Sequence, residues 1–164
     1  MPIFKNLLEK GGFAKRVDLK KRFQRIGKVG QGSMSDVYKS TDKQTGKLVA
    51  LKILDQEKTD AHASRFAKLN KPIEGEVACS LLHPHIVKTF EHGVSTEGNE
   101  FLVMEFVEGR PLSYFVDTQN KVMQKNRISF IIQLGRAIEH FHAEGWIHRD
   151  ICPRNILVDT HQQI

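Results

Sequence analysis

His148-Arg149-Asp150-Ile151-Cys152-Pro153-Arg154-Asn155 places an aspartate and an asparagine five positions apart in a short polar run. An amphipathic helical pattern precedes it, and the apolar, strand-like Ile156-Leu157-Val158 follows. A carboxylate on such a loop accepts a proton from a hydroxyl nucleophile, and a nearby amide oxygen suits a hard metal ion. The pair is a candidate site, to be weighed with the rest of the chain.

Upstream, Gly30-Gln31-Gly32-Ser33-Met34-Ser35-Asp36-Val37-Tyr38-Lys39 frees the backbone to fold closely over a phosphate, with N–H groups pointing inward. Taken alone, the same glycines also make an ordinary hairpin turn. After Thr45-Gly46 comes Lys47-Leu48-Val49-Ala50-Leu51-Lys52-Ile53-Leu54, a strand with Lys52 among apolar residues. A lone strand lysine usually snorkels to solvent. Behind a Gly-rich hairpin, at this spacing, it reaches the phosphates that the hairpin covers.

Residues 60–82 read as a helix interrupted by Pro72 and Gly75, both poor in a helix interior. Glu74 and Glu76 are both candidates to pair with Lys52, and both also suit an exposed helix surface. Ile86–His92 and Glu100–Val107 read as strands around the turn Ser95–Asn99, and Val107–Pro111 as a linker. Leu112–Thr118 is expected as a short helix. Arg127–Ala143 is the clearest helix, with Ile128, Ile131, Ile132, Leu134, Ile138 and Phe141 on its apolar face and Gly145 as its stop.

In this order the residues resemble the eukaryotic-type protein kinase domain, in its bacterial-style Ser/Thr form, from about Phe23 onward. Gly30-x-Gly32-x-Met34-x-x-Val37-Tyr38 is similar to the Gly-rich loop, and Val49-Ala50-Leu51-Lys52 to the V-A-I-K strand. Leu81-x-His83-Pro84-x-Ile86-Val87 resembles the stretch after the family's C helix, and Val103-Met104-Glu105-Phe106-Val107 its hinge. His148 to Asn155 matches H-R-D-x-x-x-x-N.

The resemblance implies an α+β fold: an antiparallel N-lobe sheet with a C helix (23–109), then the beginning of a helical C-lobe (110–164), after a basic extension (1–22). It implies ATP and Mg²⁺ as cofactors and Ser/Thr hydroxyls of proteins as acceptors. Gly30, Gln31, Gly32 and Ser33 would cover the phosphates, Lys52 would hold them, and Glu74 would orient Lys52. Val37, Ala50, Met104 and Leu157 would enclose the adenine, with the main chain of Glu105 and Val107 at its edge. Asp150 would take the hydroxyl proton and Asn155 would hold the metal. Ser35 and Cys152 depart from the family pattern, and Arg154 is more typical of tyrosine kinases. No D-F-G follows Asp159 before Ile164, so the 164 residues are expected to be truncated and to transfer little phosphate alone. An ATP-binding scaffold without catalysis is the alternative. A small-molecule kinase of the aminoglycoside phosphotransferase type is disfavoured by Arg149, where that family shows glycine.

Composition bounds the remaining classes. Forty per cent hydrophobic and 27% charged residues suit one globular domain, and no apolar run reaches membrane-span length. Cys79 and Cys152 have no metal-ligand spacing, which favours a reducing, cytoplasmic setting. The net charge of +6 comes from residues 1–28, with nine Lys or Arg against Glu9 and Asp18. A solvated face is the expected reading there, and nucleic-acid binding the weakest of the candidate functions.

Overall fold

The computed structural model describes residues 16–31, 35–55 and 74–164. Five strands form an antiparallel sheet in the order β1-β2-β3-β5-β4. They are β1 (Phe23–Gln31), β2 (Ser35–Asp42), β3 (Leu48–Leu54), β4 (Thr89–Val94) and β5 (Glu100–Glu105). The turns fall where expected: Gly46 takes φ +70° after β2 and Gly98 takes φ +93° before β5, a region that glycine enters without a Cβ clash. Ile86–Lys88, expected as strand, instead precedes β4: the Ile86 amide closes a tight turn on the His83 carbonyl at 3.0 Å, and Val87 and Lys88 are irregular.

Strand alternation divides the sheet into two faces. Val49, Leu51, Phe101 and Val103 turn to one side and bury against Leu19 and Phe23, with Val17 and Ile53 at the margin. Leu19 lies on α1 (Leu19–Arg22), whose first turn is capped by Asp18 accepting from the Lys21 amide at 3.0 Å. Val17 bridges to Ser95 beyond β4, donating to the Val94 carbonyl and accepting from the Thr96 amide, each at 3.0 Å. Residues 17–22, expected in the extension, therefore help to build this core. The other face carries Ala50, Lys52, Leu102 and Met104, and α2 (Glu74–Ser80) packs on β4.

The second half is helical. Gly109–Pro111, expected as a linker, forms strand β6 and pairs antiparallel with β7 (Leu157–Asp159). Between them run α3 (Leu112–Asp117), α4 (Lys121–Ala143) and a 3₁₀ turn (Pro153–Asn155). Leu112, Phe130 and Val158 centre a second core, with Phe115, Val122, Met123, Ile156 and Ile164 around it. Helix α4 starts six residues earlier than expected because Asn120 caps it, its side chain accepting from the Val122 amide at 2.9 Å. Its buried stripe is Phe130, Gln133 and Ala137, whereas Ile128, Ile131 and Ile132 are 63%, 64% and 50% exposed. Gln133 is tolerated in the interior because its amide bonds Ser129, Gln163 and the Ile164 N–H. No described helix is long and apolar enough to cross a membrane. The arrangement is the α+β fold expected from the sequence.

Candidate active site

The register of the sheet gathers the first group of site residues. Gly30 pairs with Val37, Val37 with Lys52, and Lys52 with Leu102. Ala50 pairs with Met104 in the neighbouring row. Directly opposed residues of an antiparallel pair project to the same side, so Val37, Ala50, Lys52 and Met104 share one face, opposite the Leu51 core. Lys52 is half-buried there. Gly30 lies in ordinary contact range of Val37: a Cβ on it would meet that side chain at 3.5 Å. Gln31 ends β1, while Gly32, Ser33 and Met34 lie outside the described residues.

At the far end of β5, the Glu105 amide donates to the Lys88 carbonyl at 2.9 Å and its carboxylate accepts from the Lys88 amide at 2.7 Å. Both bonds hold the start of the link Phe106–Glu108 against β4. Lys39 stands over the Phe106 ring at 4.6 Å, a cation–π contact that braces the same link from β2. Val107 is half-buried in it. Glu74 is the first described residue of α2, with its side chain outside the described residues; Glu76 is exposed and stands roughly 200° further round the helix.

The second group sits on the loop after α4. His148 meets Phe141 edge-on at 5.5 Å and accepts from the Asp150 amide at 3.3 Å. Between them Arg149 adopts φ +63°, a left-handed conformation that costs a non-glycine residue roughly 1 kcal/mol. That reversal presents Asp150 to solvent. Asn155 closes the 3₁₀ turn and donates from Nδ2 to the Asp150 carbonyl at 3.0 Å and to Asp150 Oδ2 at 2.8 Å. The loop is fixed on both sides, by Phe141 before it and by buried Val158 after it. Among the described residues, Asp150 Oδ1 and Asn155 Oδ1 engage no hydrogen-bond donor, so each keeps a lone-pair face for another group.

Leu157 follows on β7 and is 36% exposed. Asp159 is occupied otherwise: its Oδ1 accepts from the His161 and Gln163 amides at 2.9 and 2.8 Å, closing a turn that leads the chain back on itself. Among the described residues no group of three His, Cys, Asp or Glu could hold a metal ion. Val29, which the sequence did not single out, is bulged between Lys28 and Gly30 and 53% exposed. Its signal was an apolar residue beside the first loop glycine.

The sequence model described as "Protein kinase domain" matches residues 23–164. Among curated proteins, the chain is 34% identical over 140 residues to the serine/threonine-protein kinase PrkC of Bacillus subtilis, covering 84% of this chain and 21% of that protein. It is 31% identical over 149 residues to the serine/threonine-protein kinase PknA of Mycobacterium tuberculosis, covering 87% and 33%. Relatives of this kind extend well beyond the match, which spans between 19% and 33% of their length. Among solved structures, Rad53 in complex with AMP-PNP superposes with a TM-score of 0.71 at 33% identity, over 87% of this chain and 36% of that one. With the family's sequence pattern and its fold both present over most of its length, the chain belongs to the protein kinase domain family.

Proposed function

We propose that the chain binds ATP with Mg²⁺ across the Lys52 face of the sheet and serves phosphoryl transfer to Ser or Thr hydroxyls of protein substrates. The observation that carries this reading is the Asp150–Asn155 pair: one amide bond orients the carboxylate and leaves an oxygen of each residue open. In this reading Asp150 Oδ1 accepts the hydroxyl proton. Asn155 Oδ1 is a hard donor of the kind Mg²⁺ takes, one or two protein oxygens being enough when phosphates and water complete the shell. Bound ATP and Mg²⁺ would supply the transferable phosphoryl group and neutralise its charge. Lys52 offers a cation to the phosphates, and Gly30 leaves room for backbone approach from β1. Val37, Ala50, Met104 and Leu157 offer an apolar lining for a flat base, and Val29 joins them. The AMP-PNP bound in the Rad53 structure supports a nucleotide as the ligand.

Nucleic acid is not proposed as a partner. In the described part of the basic segment, Lys20 pairs with Glu97, Lys21 with Asp18, Arg22 with Asp42 and Glu91, and Lys28 with Asp36. These charges have structural partners.

The test is nucleotide titration followed by NMR or thermal shift. AMP-PNP with Mg²⁺ is expected to bind and stabilise the chain, and Lys52→Ala to weaken binding about tenfold or more, or 1.4 kcal/mol. No binding, or binding indifferent to Lys52→Ala, defeats the proposal. Transfer of labelled phosphate to a protein substrate, expected to be small for the 164 residues alone, is expected to be lost in Asp150→Ala with nucleotide affinity retained. Binding without any Asp150-dependent transfer would mark an ATP-binding scaffold instead.

A further inference from the structure

We infer that the contact between Gly75 and His92 is the seat that positions helix α2, and with it Glu74, over the Lys52 face of the sheet. The inference rests on the nucleotide-binding reading of that face. Its geometry comes from one cross-strand row. His92 on β4 pairs with Leu102 on β5, Leu102 with Lys52 on β3, Lys52 with Val37 on β2, and Val37 with Gly30 on β1. Paired residues project to the same side, so His92 and Lys52 stand on one face, two strands or roughly 10 Å apart. The helix resting on His92 therefore lies beside Lys52.

Gly75 makes that rest close. It is buried, and a Cβ built on it would lie 2.5 Å from both Cβ and Cγ of His92 and 2.7 Å from Nδ1. Non-bonded carbons settle at about 3.5–4.0 Å, so any side chain at position 75 demands a shift of roughly 1 Å. Rotating the imidazole does not relieve the clash, because His92 Cβ is set by the strand backbone. The helix has to lift. Glu74 is the preceding residue and shares that turn, so it moves too.

The local cost argues the same way. Glycine inside a helix is about 1 kcal/mol worse than alanine, and Gly75 lies in the described part of α2. From sequence, Gly75 is a flaw in the helix. In the fold it is the residue that permits the approach, while buried Leu81 anchors the chain just beyond the other end. Gly75 is a positioning residue that acts through the placement of α2 beside Lys52.

The experiment measures AMP-PNP affinity with Mg²⁺, together with thermal unfolding, for the 164-residue chain. It compares Gly75→Ala, His92→Gly and the double variant, each with Lys52 intact and as Lys52→Ala. Gly75→Ala is expected to weaken affinity about tenfold, and adding His92→Gly, which removes the Cβ as well as the ring, to restore it to within about twofold, since the added methyl then fits. With Lys52→Ala present, Gly75→Ala is expected to cause no further loss. Full affinity in Gly75→Ala overturns the seat, as does a loss that persists without Lys52. Should Gly75→Ala not fold, the double variant decides. It recovers folding and affinity if the clash is the cause, and its failure rejects the inference. Binding that Lys52→Ala abolishes and Gly75→Ala spares sinks only the seat, whereas an absence of Lys52-dependent binding sinks the nucleotide reading as well.

Discussion

Among the described residues, Arg22 occupies the most demanding electrostatic position. Its side chain is only 11% exposed and forks between two carboxylates, bonding Asp42 at 3.1 and 3.3 Å and Glu91 at 2.7 Å twice. The pairing lifts the guanidinium further above its ordinary pKa, chiefly through the Glu91 bonds. Burial by itself would raise the Asp42 carboxyl, but the Arg22 bonds and the Gln44 amide outweigh it and hold Asp42 below its ordinary value. Removing one member of a buried charge cluster typically costs about 3–5 kcal/mol because the partners stay buried and unpaired. Arg22→Ala is accordingly expected to unfold the chain or lower its Tm sharply, as read by circular dichroism. The pH dependence has a definite sign. A depressed carboxylate stabilises fully above its unfolded pKa of about 3.9, and the contribution is lost as pH falls through the lower folded value. Wild-type Tm should fall below about pH 4 more steeply than that of Asp42→Asn, which starts lower at neutral pH. None of this was legible in the sequence. Arg22 read as one charge in a basic run, and its role depends on two carboxylates 20 and 69 residues away.

At the scale of elements, local pattern and long-range pairing had unequal success. β3, β4, β5 and the turns between β2–β3 and β4–β5 follow from apolar runs and turn residues and appear, with β4 starting at Thr89 rather than Ile86. β6 was hidden because three residues carry no periodicity of their own; its partner β7 lies almost fifty positions away. Gly109 explains how the two strands fit. A Cβ there would collide with the Val158 carbonyl, a backbone atom that cannot swing aside. Gly109→Ala should therefore part β6 from β7 and cost about 1–3 kcal/mol. Chemical denaturation should show a lower midpoint, and hydrogen exchange should rise at Val158 while β1 and β2 stay protected. A uniform rise across the sheet, or no change at Val158, would contradict the local explanation. Because β7 follows directly from Asn155, the same variant is expected to loosen the Asp150–Asn155 loop.

At the scale of the whole molecule, the described residues form a sheet half and a helical half, joined by specific contacts. His83 stacks on His140 of α4 at 5.3 Å, His85 meets the Ile164 carbonyl at 2.6 Å, and the Thr160 amide reaches the Glu108 carbonyl at 3.1 Å. Burial, with His140, His85 and Arg136 adding repulsion, depresses the His83 pKa, so this joint favours neutral imidazole. Its stabilisation is present above about pH 6.5 and declines as pH falls toward the lower folded value. Helix α4 meanwhile leaves Ile128, Ile131 and Ile132 in solvent, an apolar surface that favours sticking. Replacing all three with Lys or Glu should cut hydrophobic-dye fluorescence and self-association, with Tm shifts within those of ordinary surface changes, about 0.5 kcal/mol per site. A large loss of Tm would show that the face is packed. This stripe also marks where sequence reasoning ended. The chain order of Gly-rich loop, strand lysine, hinge and Asp150–Asn155 loop determined the family and the α+β class, because spacing along a backbone is local information. Which side of α4 is buried, why Gly75 belongs in α2, and what holds Arg22 were decided only in three dimensions. Burial and close contact are properties of pairs of residues, and the partners in each pair lie on elements that meet only when the fold closes.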